Sequence, residues 1–165
     1  MLLLVTDTSG KQGSVALARA GERDPNDVAV VEVAPLAGGM FSAQLVPQIA
    51  ALLSRHQLTK ADIDAFIVVS GPGSFTGLRV GLAAIKALAE ILQKPIVPVS
   101  LLAVLALTSH AQGKVAAVLD AGRGDVYFGQ YEIGGASVGV LQERLLSKAE
   151  FLAAAQGSTV VASDS

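Results

Sequence analysis

The chain has 165 residues, of which 52% are hydrophobic, 16% are charged and 4% are aromatic. Twelve Lys and Arg residues against fourteen Asp and Glu residues give a formal net charge of −2, and Cys is absent. This composition excludes an intrinsically disordered chain, a disulfide framework, a thiol nucleophile and a zinc–thiolate site, and it lacks the basic stripe of a protein that binds nucleic acid unaided. The aliphatic excess indicates strands buried on both faces, or a surface that a second subunit covers.

The first third of the chain predicts three strands and a helix. Apolar runs place the strands at Leu2–Val5, Ser14–Arg19 and Val28–Ala34, with the first two forming an antiparallel hairpin. Apolar residues at helical spacing then predict a helix from Phe41 to Arg55. Within it, Ser42 is the candidate cap and Pro47 is expected to bend the first turns.

A glycine-rich segment follows the next predicted strand, Ala65–Ser70, and leads into a helix predicted from Phe75 to Gln93. The segment Gly71–Arg79 reads GPGSFTGLR. It lacks both the Lys-Ser/Thr pair of a phosphate loop and the third glycine of a dinucleotide fingerprint. The free amides of this helix start could still bind an anion, and the alternative is a purely structural turn between strand and helix.

Two glycines of this helix, Gly77 and Gly81, are four residues apart and share one helical face, which Ile85 continues. Each interior glycine costs about 1 kcal/mol relative to alanine. Close approach of another backbone would compensate for that cost. The neighbour is either the protein's own sheet or a helix of a second subunit.

The second part of the chain repeats features of the first. A strand ending in Asp7 or in Asp120 is followed in each case by a turn with glycine and a cation, and then by a returning strand. By analogy, this duplication predicts an actin-like (ribonuclease-H-like) α/β fold of two lobes. We expect the first lobe at residues 1–97 and a shortened second lobe at 98–165. The remaining predicted elements are the strands Ile96–Val99, Val115–Leu119, Asp125–Glu132, Val138–Leu141 and Val160–Ala162, and the helices Ser100–Ser109 and Lys148–Ala155.

Few residues could carry chemistry. Asp7 and Asp120 could flank a cleft and hold a metal–nucleotide complex, or they could bond locally to turn amides. Hard cations need several oxygen ligands, and the sequence shows no cluster of them. His56 and His110 are far apart in the chain, so we predict no metal site and no catalytic residue.

Three motifs together are similar to one known family. They are Gly71–Arg79 with the following Val80–Ala83, Asp7-Thr8 with Ser14–Leu17, and Leu119–Ala121 with Gly124–Tyr127. They resemble the bacterial TsaB (YeaZ) family, and the resemblance runs from about Leu2 to Tyr131. It implies an actin-like fold without a catalytic site of its own.

The resemblance also implies a function and partners. Members of the family bind and activate a related transferase, TsaD, which forms N6-threonylcarbamoyladenosine at position 37 of ANN-decoding tRNAs, and a small ATPase, TsaE, joins the complex. We therefore expect a cytoplasmic subunit that forms homodimers when alone, meets tRNA only through the complex, has no membrane segment and binds ATP or ADP weakly or not at all. The alternative is an ATP-dependent actin-like enzyme that uses Asp7, Lys11 and Asp120.

Two departures from the family pattern bear on this expectation. Phe41 stands before Ser42, where many members of the related transferase family have a metal-binding His. The family also usually continues beyond the strand that matches Val160–Ala162, so we expect a truncated or shortened member.

We predict that the two long helices of the first lobe form the contact with the transferase, or with a second copy of this chain. Helix pairs of this length could supply the area of a specific interface, about 1,200–2,000 Å². The predicted interface residues are Phe41, Leu45, Ile49, Leu52, Gly77, Leu78, Gly81 and Ile85.

Overall fold

The computed structural model describes residues 1–21, 24, 27–135 and 137–163. The chain divides into two compact units, Met1–Val99 and Ser100–Ser165. The division expected from the sequence lies two residues earlier, between residues 97 and 98. None of the helices among the described residues is long and apolar enough to cross a bilayer.

Unit 1 is built on a five-stranded sheet in the order β3-β2-β1-β4-β5. β1 is antiparallel to β2 and parallel to β4, and β2 is antiparallel to β3, so the predicted hairpin is confirmed. The strands are β1 (Leu2–Asp7), β2 (Gly13–Ala20), β3 (Val28–Leu36), β4 (Ala65–Gly71) and β5 (Ile96–Ser100).

Two helices, α1 (Phe41–Arg55) and α2 (Phe75–Leu92), pack on this sheet and against each other. A single 3-10 turn, Lys60–Asp62, lies between them. Alternation along β1 turns one set of side chains toward the helices, and these residues join the apolar stripes of α1 and α2 in one core. The largest fully buried members of this core are Leu4, Leu17, Leu36, Leu45, Leu52, Ile63, Phe66 and Ile85.

The predicted cap of α1 was wrong. Phe41 is buried and already belongs to the helix, so Ser42 is a helical residue and the N-cap position falls to Met40. The Met40 carbonyl accepts hydrogen bonds from the amides of Ala43 and Gln44, and no side chain among the described residues caps this end. α1 remains a single helical element through Pro47.

Unit 2 is built on a four-stranded sheet in the order β8-β7-β6-β9. Helices α3 (Leu101–Thr108) and α4 (Lys148–Ala154) belong to different apolar clusters: α3 packs with Val115 and Tyr131, and α4 packs with Phe128. β8 is much longer than the predicted Val138–Leu141, because it pairs with β7 along almost its whole length. The strands are β6 (Gly113–Gly122), β7 (Asp125–Gly134), β8 (Ser137–Ser147) and β9 (Thr159–Ala162).

The two sheets share a topology. In unit 2, β6 is antiparallel to β7 and parallel to β9, and β7 is antiparallel to β8. The order β8-β7-β6-β9 thus repeats the order and directions of β3-β2-β1-β4. In unit 1, α1 connects β3 to β4, and in unit 2, α4 connects β8 to β9 in the same way. The predicted internal duplication is confirmed.

Candidate functional site

The turn after β1 is hydrogen-bonded to the start of α2. The amide and the hydroxyl of Ser9 both donate to Oδ1 of Asp7, at 2.8 and 2.6 Å. The Ser9 carbonyl accepts from the amide of Ser74 at 2.6 Å, and the Thr8 hydroxyl donates to the Gly77 carbonyl at 2.8 Å. Thr8 and Ser9 are only 1% and 3% exposed. Hydrogen bonds in such a buried environment are electrostatically stronger than hydrogen bonds in water.

The glycines of α2 face this same turn. A Cβ added to Gly77 would overlap the carbonyl oxygen of Thr8, and one added to Gly81 would overlap the Thr8 hydroxyl. A Cβ on Gly73 would overlap the Ser9 carbonyl oxygen. The close approach that the sequence predicts is therefore made by the protein's own chain. For these glycines, the alternative of a helix from a second subunit was wrong.

The predicted interface residues need the same correction. Seven of the eight are buried among the side chains of unit 1, and Leu78 is half-buried. They form the core-facing stripes of α1 and α2. An apolar stripe with a period of 3.6 residues marks the face of a helix that packs on the protein's own core. An interface through these two helices stays a prediction, and it would use their outward faces. The seven are Phe41, Leu45, Ile49, Leu52, Gly77, Gly81 and Ile85.

The outward faces of α1 and α2 expose large apolar side chains beside polar and charged ones, which on α2 include Lys86 and Glu90. Phe75 and Ile91 are each 72% exposed, and Val46 is 51% exposed. The Arg79 guanidinium lies over the Phe75 ring, 4.7 Å from its centroid, so a cation and an aromatic ring are paired on the surface. We call this set the outer helical surface: Ala43, Val46, Pro47, Ala50, Phe75, Arg79, Ala83, Ala87 and Ile91.

Asp7 and Asp120 do not occupy equivalent places in the two sheets. Along β1, Asp7 alternates with the buried Leu4 and Thr6 and so lies on the face opposite to α1. Asp120 lies on the α4 face of its sheet, where it lines a pocket together with Phe151. The two aspartates are therefore alike in their local sequence and differ in their position in the fold. The predicted role of Asp7, Lys11 and Asp120 with a nucleotide stays a prediction.

Each aspartate makes a local turn. Asp120 Oδ1 accepts a hydrogen bond from the Gly122 amide at 3.0 Å, just as Asp7 accepts from Ser9. Lys11 is exposed and lies in the turn that follows Asp7. These bonds are the local alternative that the sequence left open for both carboxylates.

A pocket of about 410 Å³ lies in unit 2 between α4 and the ends of β6 and β9. Val118, Val126, Phe151 and Leu152 supply apolar walls, and the carboxylate of Asp120 and the ammonium group of Lys148 are the charged groups that line it. No local pattern in the sequence predicts this pocket, since its walls come from separate apolar runs.

Other polar clusters hold structure together. Glu32 on β3 accepts from Arg55 and contacts His56 Nε2, both at 2.7 Å, and hydrogen bonds from these two side chains lower the pKa of Glu32. In unit 2, Glu143 accepts from the Tyr131 phenol at 2.5 Å, and burial together with this carboxylate raises the pKa of Tyr131. Within the described ranges, no group of three or more His, Asp or Glu side chains is placed to hold a metal ion.

Comparison with known proteins decides the family. A family model described as "TsaD: tRNA N6-adenosine threonylcarbamoyltransferase" matches residues 34–163. A Bacillus subtilis protein described as "tRNA threonylcarbamoyladenosine biosynthesis protein TsaB" is 34% identical over 133 residues, which cover 80% of this chain and 56% of that protein. The structure of YeaZ from Pseudomonas aeruginosa is 30% identical, with a TM-score of 0.72, and the match covers 89% of this chain and 69% of that one. The chain belongs to the TsaB (YeaZ) family.

Family membership confirms the resemblance seen in the motifs, and the match to the transferase model shows that the chain is also related to TsaD. The chain spans about half the length of the curated TsaB relatives that it matches. The structure of a glucokinase from an Antarctic psychrotroph matches with a TM-score of 0.51 at 15% identity, covering 86% of this chain and 49% of that one. That likeness concerns the fold alone and agrees with the predicted actin-like architecture.

Proposed function

We propose that this chain acts in tRNA threonylcarbamoyladenosine biosynthesis as a non-catalytic subunit that binds and activates the related transferase TsaD. Membership of the TsaB family supports the pathway. The observation that carries the proposed mode of action is the outer helical surface, which exposes Phe75, Ile91 and Val46 on two adjacent helices. The tRNA substrate is the ANN-decoding class, modified at adenosine 37.

Phe75 and Arg79 of this surface are residue types that protein–protein contacts favour, and Lys86 and Glu90 are exposed on the same helix. Aromatic residues and arginine are enriched at interfaces, and lysine and glutamate are depleted at their centres. The Phe75–Arg79 pair offers an apolar ring and a cation at one place. Burial of Phe75, Val46 and Ile91 on binding would stabilise the complex by about 25 cal/mol for each Å² of apolar surface removed from water.

The glycine segment supports a structural role in preference to catalysis. The Ser74 amide is already bonded to the Ser9 carbonyl, and the Gly77 amide donates to the Ser74 side chain at 3.3 Å. These two amides at the start of α2 therefore have protein partners, which weakens the case for an anion there. Thr8 and Ser9 also fill the space that the glycines leave.

The remaining partners follow from the same proposal. The small ATPase TsaE joins the assembly of this chain with the transferase, and tRNA meets the assembly and not the isolated chain. In the absence of the transferase, two copies pair through the outer helical surface, since a two-fold contact reuses one patch. The subunit acts in the cytoplasm and needs no cofactor of its own.

The test is capture of purified TsaD by the tagged chain, followed by a tRNA modification assay with the captured complex. We expect the wild type to retain TsaD, and Phe75→Glu or Val46→Glu to lower retention at least about tenfold, because each places a charge in an apolar contact. Leu152→Glu is the matched control, since Leu152 of α4 is 69% exposed and lies in unit 2. Equal retention of wild type and Phe75→Glu, or loss with Leu152→Glu alone, would contradict the proposed contact.

A further inference from the structure

We infer that Asp7 is a positioning residue for the outer helical surface and not a ligand of a nucleotide or metal. The inference rests on the proposed function, because the surface it positions is the proposed contact with the transferase. The Asp7 carboxylate holds the turn, the turn is bonded to α2, and α2 carries Phe75 and Arg79.

The Asp7 carboxylate fixes the conformation of the turn. A single oxygen, Oδ1, accepts both the amide and the hydroxyl of Ser9. With both donors held, the Ser9 carbonyl is directed at its partner in α2, the Ser74 amide.

Thr8 and Ser9 of this turn are bonded to the first part of α2. The Ser9 carbonyl accepts from the amide of Ser74, which is the N-cap residue of α2, and Thr8 bonds to the carbonyl of Gly77. Since Gly77 and Gly81 have no side chains, α2 lies directly on Thr8. Phe75 and Arg79 occupy this same stretch of helix and face outward. Their placement therefore depends on the turn beneath them.

Asp120 provides an internal contrast. It makes the same type of bond to an amide two residues ahead, but the glycines of its turn, Gly122 and Gly124, have open space where a Cβ would be. The start of α4 is bonded to that turn, from the Lys148 amide to the Gly124 carbonyl at 3.3 Å, but none of the described residues fills the space beside Gly122 and Gly124 as Thr8 does beside the glycines of α2. A nucleotide role would need both carboxylates, whereas a positioning role needs Asp7 alone.

The experiment compares Asp7→Ala, Asp7→Asn and Asp120→Ala by affinity for purified TsaD and by hydrogen exchange of the Ser74 amide. We expect Asp7→Ala to weaken binding at least about tenfold, or about 1.4 kcal/mol, and to speed exchange at Ser74. We expect Asp7→Asn to stay within about threefold of wild type, because the asparagine carbonyl can accept the same two bonds without the charge. Asp120→Ala should match wild type in both measurements.

Asp62→Ala serves as a second control, since the Asp62 carboxylate caps the separate turn at Thr59. If Asp7→Ala does not fold, Ser9→Ala removes only the hydroxyl bond and should shift both readouts in the same direction by a smaller amount. An Asp7→Asn variant as weak as Asp7→Ala, or an Asp7→Ala variant that binds like wild type, would overturn the inference. Failure of the wild type itself to bind TsaD would instead overturn the proposed function, and the positioning role with it.

Discussion

The Thr8 hydroxyl donates a 2.8 Å hydrogen bond to the carbonyl oxygen of Gly77, across 69 residues of sequence. This bond joins the end of the first strand to the glycine segment of α2. It also explains why the segment contains glycine, since the Thr8 side chain and carbonyl occupy the positions where Cβ atoms at residues 77 and 81 would lie.

Gly81→Ala should destabilise the protein, although alanine favours helix by about 1 kcal/mol over glycine. The new methyl group would overlap the Thr8 hydroxyl, and overpacking costs about 1–3 kcal/mol. We therefore expect a net loss in the free energy of unfolding, measured by urea denaturation.

The double variant Thr8→Ala/Gly81→Ala is the matched test of that cause. It removes the atom that the new methyl group would meet, so the cost of Gly81→Ala should fall in the Thr8→Ala background. A Gly81→Ala variant more stable than wild type would show that α2 does not lie on Thr8 as described.

Thr6→Val should stabilise unit 1 by about 1 kcal/mol. The Thr6 hydroxyl oxygen is buried and finds no hydrogen-bond partner among the described residues, so an isosteric apolar side chain removes a desolvation penalty. Thr8→Val is the control, because it removes the bonded hydroxyl and should destabilise. Thermal melting of the two variants should shift in opposite directions, and equal shifts would count against this account.

Glu32 should make stability depend on acid pH. Hydrogen bonds from Arg55 and His56 lower its pKa in the folded state, so the unfolded state binds the proton more readily. The contribution is present above the ordinary glutamate pKa of about 4.3 and is lost as pH falls through the lower folded value. The difference in the free energy of unfolding between wild type and Glu32→Gln should therefore shrink as the pH falls from about 5 to about 3, the range over which the carboxylate takes up its proton. A constant difference would rule out the pairing in solution.

Tyr131 should resist ionisation at alkaline pH. Burial and the Glu143 carboxylate raise its pKa, so stability is present below the ordinary tyrosine value of about 10 and is lost as pH rises above it. In a Tyr127→Phe background Tyr131 is the remaining tyrosine, because the chain has two. Its phenolate absorbance should then appear only above a pH of about 10, or together with unfolding. Phenolate absorbance at a lower pH in the folded protein would contradict the buried hydrogen bond.

Much of the fold follows from local signals in the sequence. The helical spacing from Phe41 to Leu53 predicts α1, and the structure confirms it. The predicted bounds of α1, Phe41–Arg55, are confirmed, but the serine cap was wrong, because burial of Phe41 places Ser42 inside the helix.

The site was less predictable, for a physical reason. Periodicity identifies which face of a helix is apolar, but it cannot tell a neighbouring strand from a neighbouring subunit, so Leu45 and Gly81 were assigned to the wrong contact. The exposed Phe75 and Ile91 carry no periodic signal of their own. The bond from Thr8 to Gly77 joins distant parts of the chain, and no local pattern encodes it.

Sedimentation velocity of the purified chain mixed with TsaD tests whether the outer helical surface binds the transferase. We expect a one-to-one complex at micromolar concentration, with a Kd of about 1 μM or below, that Phe75→Glu disrupts and Leu152→Glu leaves intact. Persistence of two separate species at tens of micromolar, or a complex unaffected by Phe75→Glu, would contradict the account.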